Sequence, residues 1–187
     1  MKKLRFAILG CGKIAQRHAG QIVERGELTA VCDIVKDKAD ELAARYDAVP
    51  YYDVEALLRQ VDAEVISVCT PNGLHAIHSI AALQRGFHVL CVKPMAIRAT
   101  DAREMIRASR AANRQLFIVK QNRYNPPVAA LKKLLDEGRL GAIYSLQLNC
   151  FWNRDAHYYL DTWKGTKEWD GGTLFTQFSH FIDLLYW

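Results

Sequence analysis

Short apolar runs alternate with longer amphipathic stretches over the first two thirds of the chain. The runs LRFAIL (4–9), LTAVCD (28–33), EVISVC (64–69), FHVLCV (87–92) and QLFIVK (115–120) are rich in Val, Ile, Leu and Phe, as expected of strands covered on both faces. The stretches between them, 12–25, 36–46, 53–59, 72–85 and 100–113, carry helical patterns. Gly26 and Gly86 supply stop signals, and Thr100 with Asp101 offers a start. Strand then helix, repeated in this way, predicts a doubly wound parallel sheet of the α/β class.

The grammar changes after about residue 122. Asn125 followed by Pro126 and Pro127 suits a helix entry for 126–137, with Gly138 as its stop. The run AIYSLQLNCFW (142–152) reads as the first strand of a different layer, followed by an irregular aromatic loop and a helical stretch from about 173 onward. The boundary falls near 121–125, which gives a first domain over 1–122 and the start of a second over 123–187. HFIDLLYW reaches Trp187 inside an apolar helical pattern with no cap. A domain that opens with one strand and one helix cannot close a core by itself, so the expectation is a truncated form of a longer protein.

Composition changes this picture mainly by exclusion. With 187 residues, half of them hydrophobic, the chain can bury a sizeable core. Its 25 Lys and Arg against 20 Asp and Glu leave a formal charge of +5. The basic residues are scattered rather than gathered into a stripe, which argues against nucleic acid and suits an anionic small molecule. Cys11, Cys32, Cys69, Cys91 and Cys150 are odd in number and show no CxxC spacing. They read as reduced, mostly buried thiols of a cytoplasmic protein, with no metal site expected. The apolar run after MKKLR is too short and glycine-broken for a signal peptide, and nothing approaches the roughly 18 apolar residues of a membrane span.

Three motifs carry candidate chemistry. In AILGCGKIA, Gly10, Gly12 and Ala15 fit GxGxxG/A directly after a strand and at the start of a helix, where backbone N–H groups can approach a pyrophosphate. Asp33 follows at the end of the second strand, placed to accept both hydroxyls of an adenosine ribose. Ile34 and Val35 supply no Arg for a 2′-phosphate, so NAD is favoured over NADP. The bland alternative is a tight turn beside a solvated aspartate. Thr70, Pro71 and Asn72 turn the chain at the same sheet edge; Asn72 could simply cap the next helix, and His75 could simply lie on its face. In VLCVKPMA, Lys93 and Pro94 follow a strand, which brings the lysine out beside the place where a nicotinamide ring would lie. Partial shielding there would lower its pKa and suit it to move a hydroxyl proton. A surface lysine is the alternative.

These residues together resemble the glucose-fructose oxidoreductase and inositol dehydrogenase family (Gfo/Idh/MocA), with GxGxxA, an acid after strand two, TPNxxH and a KP pair in their usual order. The resemblance runs over all 187 residues and implies an N-terminal Rossmann domain followed by the beginning of an α+β, mostly antiparallel second domain, in members that usually continue further. Two departures stand out. Val92 replaces the Glu of the family's EKP signature, and in GGTLFTQFSHFIDLL the family's GGGxLxDxGxHxxD pattern keeps His180 and Asp183 but has Thr176 at the usual catalytic aspartate.

VKQNRYNPP (119–127) and the aromatic loop FWNRDAHYYLDTWKGTKEWDGG (151–172) resemble the subgroup that oxidises the 3-hydroxyl of UDP-N-acetylglucosamine-derived uronic acids in surface-polysaccharide synthesis. The resemblance implies an NAD-dependent dehydrogenase with Lys93 and His180 as catalytic residues. Gly10, Gly12, Lys13, Ile14, Asp33, Thr70, Pro71, Asn72, His75, Lys93 and Gln121 then face the cofactor. Lys93, Arg123, Trp163, Thr166, Thr176 and His180 face the sugar, with Arg123 a partner for a carboxylate or diphosphate. A homo-oligomer is implied for a full-length member, and a small sugar or nucleotide-sugar is the partner. The rival reading from another class is a noncatalytic dinucleotide-binding regulator or scaffold, which Val92 and Thr176 favour. A methyltransferase shares the glycine loop but gives no reason for Lys93-Pro94.

Overall fold

The computed structural model describes residues 3–160 and 162–187. Six strands, β1 (Arg5–Leu9), β2 (Glu27–Cys32), β3 (Val49–Tyr51), β4 (Val65–Val68), β5 (His88–Cys91) and β6 (Leu116–Ile118), form one sheet in the order β3-β2-β1-β4-β5-β6. Every pairing is parallel. Helices α1 (Lys13–Arg25), α2 (Lys36–Tyr46), α3 (Val54–Gln60), α4 (His75–Gln84) and α5 (Ala99–Ala112) make the crossovers. The doubly wound α/β sheet predicted from the alternating runs is therefore the observed fold, and its strand order is that of a Rossmann domain.

Alternation within each strand explains the two-sided core. Ala7 and Leu9 of β1 point into the layer that holds Leu57, Ile66, Leu83, Val89 and Met105. Ile8, between them, points into the opposite layer with Ala15, Ala19, Ile22, Val31 and Leu42. A strand buried on both faces needs apolar residues at both parities, hence the unbroken runs.

β3 is a strand that the apolar-run pattern does not mark. It is three residues long, contains Pro50, and pairs only with β2. Proline is tolerated there because an edge strand leaves one side unpaired. The start of α5 also differs from expectation: the helix begins at Ala99 after Arg98, which makes no side-chain cap, so Thr100 and Asp101 lie in its first turn. Two helix ends are closed by residues in the left-handed region, Asp47 after α2 (φ 54) and Asn113 after α5 (φ 50), polar side chains that tolerate such a turn.

Beyond β6 a short 3₁₀ turn (Gln121–Tyr124) leads into α6 (Pro126–Asp136), with Pro126 in its first turn. The strand expected over 142–152 is not formed. An isolated strand has no ladder to join, and Tyr144 and Phe151 are each 95% exposed, so neither face of this segment is packed. The chain then returns to the sheet. Gly73 N–H donates to the Trp169 carbonyl (2.9 Å) and Asn72 Nδ2 to the Asp170 carbonyl (2.9 Å). A five-residue π turn (Leu174–Phe178) runs directly into α7 (Ser179–Tyr186).

The core assignment makes a testable distinction on a single helix. Leu83→Ala, at a fully buried position of α4, should cost about 2–5 kcal/mol of unfolding free energy. Ile77→Ala, 63% exposed on the same helix, should cost less than about 0.5 kcal/mol beyond propensity. Urea unfolding of the two variants measures both.

Candidate active site

The register of the sheet decides what meets at its edge. Leu9 pairs with Cys32 on one side and Val68 on the other, Val68 pairs with Cys91, and Cys91 pairs with Ile118. The residues that follow each of these leave the sheet along one row: Gly10 after β1, Asp33 after β2, Cys69 and Thr70 after β4, Val92 and Lys93 after β5, Lys120 after β6. In such sheets the crevice outside the carboxyl ends, where strand order reverses, is where ligands bind.

Gly10 (φ +93) turns the chain from β1 into α1, and a Cβ on it would lie 2.8 Å from the Cys69 and Thr70 backbones. Gly12 precedes α1, makes no side-chain cap, and a Cβ there would meet nothing within 4 Å. The first turn of α1 thus keeps uncapped N–H groups facing open space, with Lys13 and Ile14 exposed beside it, an arrangement suited to a phosphate. Asp33 braces this loop: one carboxylate oxygen accepts from Cys11 N–H (2.8 Å) and the other from Val35 N–H (2.9 Å). Each oxygen retains a lone pair for a ribose hydroxyl. Burial, and then the Asp33 charge, push the Cys11 thiol up to about 12, so it stays protonated. These residues fit a dinucleotide.

The turn after β4 serves differently from its sequence reading. Thr70 and Pro71 are half-buried at the edge, but Asn72 is buried and ties the turn to the returning loop through Asp170. His75 is fully buried. Its Nδ1 lies 2.6 Å from the Pro94 carbonyl and its Nε2 2.8 Å from the Thr70 carbonyl; both are acceptors, so the neutral ring that burial favours donates to one of them while lying between the two strand-end turns. His78 Nδ1 meets Thr70 Oγ1 at 3.1 Å.

Lys93 and His180 converge. Lys93 Nζ donates to the Thr176 carbonyl, one turn before His180. A π turn breaks the regular hydrogen-bond ladder there, a feature frequent at functional sites. The Thr176 hydroxyl itself turns back onto the Gly172 carbonyl (3.1 Å), so its main chain rather than its side chain meets the lysine. His180 is buried, with Nδ1 unpartnered and Nε2 3.5 Å from the Gln121 amide. Burial first, then the charges of Lys93 and Lys120, push its pKa down to about 4, so the ring is neutral. Burial first and Lys120 second also lower Lys93.

Other predicted contacts are placed elsewhere. Both Nε and a terminal nitrogen of Arg123 reach Asp183 at 2.7 Å in a forked pair, and its guanidinium lies 5.3 Å from the Trp187 ring. Arg123 thus anchors α7 rather than standing free for a sugar carboxylate. The hydrogen bonds described for Trp163 and Thr166 stay within the 163–170 loop: Thr166 Oγ1 donates to the Trp163 carbonyl (2.6 Å) and accepts from Trp169 N–H (3.2 Å). Three residues to which the motif reading assigned no contact join the site. These are Lys120, whose Nζ is 3.5 Å from the Ser179 carbonyl and 3.7 Å from Asp183; Asp183 itself; and Asp170. Asp183 was legible as part of the HxxD pattern. Lys120 and Asp170 lie next to recognised residues but carry no spacing of their own.

The sheet and the glycine loop define a dinucleotide-binding Rossmann domain, with Lys93 and His180 at one corner of its strand edge. Residues 4–120 match the family described as "Oxidoreductase family, NAD-binding Rossmann fold", and residues 128–187 match the GFO/IDH/MocA C-terminal domain. The chain belongs to the GFO/IDH/MocA oxidoreductase family, with an NAD-binding Rossmann domain. The WlbA dehydrogenase of Chromobacterium violaceum, solved with NADH and UDP-GlcNAcA, is 42% identical and superposes on all of this chain and 55% of its own, with a TM-score of 0.97. WlbA of Bordetella pertussis, solved with the same two molecules, is 39% identical with the same coverage and TM-score. D-glucoside 3-dehydrogenase of Escherichia coli is 38% identical over 145 residues, 75% of this chain and 41% of that protein. The chain spans about half the length of the relatives it matches.

The buried histidines predict an acid-labile window. His78 and His180 are pushed down to about 4, and His18 and His75 below the ordinary 6.5, in each case mainly by burial. Between about pH 6.5 and 4 the unfolded chain therefore binds protons that the folded chain refuses, so unfolding free energy falls as pH falls and levels off above that window. Urea midpoints across this range should show the decline, and His78→Gln should make it shallower.

Proposed function

We propose that the chain supplies the cofactor domain and the catalytic corner of an NAD-dependent dehydrogenase that oxidises a secondary hydroxyl of a nucleotide-linked sugar acid, the 3-hydroxyl of a UDP-N-acetylhexosaminuronic acid. The observation that carries this is the convergence of Lys93 and His180 at the strand edge that also holds the glycine turn and Asp33. The two WlbA structures, matched over this whole chain and solved with NADH and UDP-GlcNAcA, support the substrate class. A small nucleotide-sugar partner, homo-oligomerisation of the full-length protein and a place in surface-polysaccharide synthesis follow from the same reading. No helix among the described residues is long and apolar enough to cross a membrane.

The chain's own residues divide the work. Gly10, Gly12 and the first turn of α1 hold the pyrophosphate, and Asp33 the adenosine ribose; when bound, NAD supplies the two-electron acceptor for the carbinol hydride. Lys93 lies at the far side of the switch point, half-buried, where its ammonium can stabilise alkoxide character and its amine can take the hydroxyl proton. Burial, and then the charge of Lys120, lower its pKa, the direction that eases release of its proton. His180, neutral at working pH, orients the hydroxyl and shares the proton, with Gln121 beside its Nε2. Thr176 contributes a main-chain acceptor that fixes Lys93. Asn72 ties the returning loop to the turn after β4 through the Asp170 carbonyl.

In the full-length protein, mixing with NAD and UDP-N-acetylglucosaminuronic acid should produce NADH absorbance. Lys93→Met and His180→Asn should each lower turnover roughly a hundredfold to ten-thousandfold while leaving NAD binding, read by tryptophan quenching, within a few-fold of the parent. Tight NAD binding with no reduction by the parent protein would favour the noncatalytic dinucleotide-binding reading instead.

A further inference from the structure

The turn after β4 grips the returning loop a few residues before the π turn that meets Lys93. Asn72 is buried, and its Nδ2 donates to the Asp170 carbonyl (2.9 Å). The next residue, Gly73, donates its N–H to the Trp169 carbonyl (2.9 Å). Two adjacent carbonyls of the loop are thus held by two adjacent residues of one turn. Asp170 is tied within its own loop as well: its N–H donates to the Thr166 carbonyl (3.1 Å) and its Oδ2 accepts from Gly165 N–H (2.9 Å).

Beyond this anchor, the Gly172 carbonyl takes three donors from the π turn: Phe175 N–H (3.0 Å), Thr176 N–H (3.0 Å) and Thr176 Oγ1 (3.1 Å). Gly171 and Gly172 both have positive φ (+77 and +91). Glycine leaves such a joint free to swing, so the bonds at its two ends fix where the π turn sits. A threonine hydroxyl that bonds the carbonyl four residues back is a common local habit in helices. Here it sits on the residue whose own carbonyl receives the Lys93 ammonium, and the carbonyl it bonds lies two residues from the Asn72 anchor.

We infer that Asn72 and the Thr176 hydroxyl are positioning groups for Lys93, acting along one continuous path. It runs from the Asn72 amide to the Asp170 carbonyl, along the main chain to Gly172, from the Gly172 carbonyl to Thr176, and from the Thr176 carbonyl to the ammonium. Neither side chain needs to touch the cofactor or the sugar to do this. For the turnover consequence the inference rests on the dehydrogenase reading above; for the path itself it does not.

The test uses Asn72→Asp, which keeps the shape and loses the donor, and Thr176→Val against Thr176→Ser, which differ in the hydroxyl. Deuterium exchange of the full-length protein is read by peptide mass spectrometry over 171–180. Asn72→Asp and Thr176→Val should each speed exchange there by about three- to tenfold, the range that one lost hydrogen bond carries, while Thr176→Ser stays within about twofold of the parent. Turnover should fall roughly tenfold to a hundredfold in the first two variants, as a small misplacement of a catalytic group does, with KM for NAD held within about threefold and Thr176→Ser near the parent. A merely structural Asn72 would loosen its own turn over 70–75 and leave 171–180 at the parent rate. That result overturns the path, as does equal behaviour of Thr176→Val and Thr176→Ser, or an active parent whose turnover survives both Asn72→Asp and Thr176→Val; in each case loss of turnover in Lys93→Met would leave the dehydrogenase reading standing. If exchange moves as expected but the parent reduces no NAD, the path stands and the dehydrogenase reading falls. Should Asn72→Asp fail to fold, the contrast between valine and serine at 176 decides the matter.

Discussion

The parallel register of the sheet is the constraint on which everything else depends. Because Leu9, Cys32, Val68, Cys91 and Ile118 lie in one row, the five chain segments that follow them open at one edge. Side chains alternate along each strand, so a slip of one residue in any pairing would exchange the two core layers and pull one of these segments out of line. Lys93 has little in its immediate sequence to mark it as more than a surface residue. It becomes a candidate acid–base group because β5 ends where it does, beside β4 and across from the glycine turn.

The second constraint is the return of the chain to that edge. The 163–172 loop approaches so closely that a Cβ at Gly73 would sit 2.6 Å from the Glu168 carbonyl, and one at Gly171 would sit 2.8 Å from Ile97. Glycine is required at 73, where two backbones meet at such range, and at 171, where φ is +77 and the Ile97 side chain fills the space a Cβ would take. With the loop seated, Asn72 is buried rather than exposed, Asp170 is buried with it, and the π turn presents the Thr176 carbonyl to the ammonium. The Arg123–Asp183 fork holds the middle of α7, one turn beyond His180.

Legibility in the sequence followed the strength of the physical signal. Fully buried strands announce themselves as apolar runs, and five of the six were readable; VPY (49–51) was not, because a three-residue edge strand with a proline has neither length nor alternation. AIYSLQLNCFW has the composition of a strand, but a strand is a pairing and not a composition, and no partner lies among the described residues. In the site, residues whose role is set by local backbone geometry, such as Gly10, Gly12 and Asp33, could be placed from spacing alone. Residues whose role depends on a contact about sixty to a hundred positions away could not. Arg123 looks the same in sequence whether it faces a substrate or Asp183, and Asp170 whether it is solvated or buried against Asn72.

The two departures from the family pattern belong to the same account. Val92 packs against Cys11, Cys69 and Val31 in the core layer beneath α1, so β5 itself brings no carboxylate next to Lys93. Thr176 turns its hydroxyl onto its own helix, so no side-chain acceptor arrives from that direction either. An ammonium half-removed from water still needs compensation, or it gives up its proton. Here the compensation seen in the structure is a main-chain carbonyl, which fixes position without adding charge. The carbonyl of a π turn, where the regular helical ladder is interrupted, thus holds Lys93 in place while burial lowers its pKa.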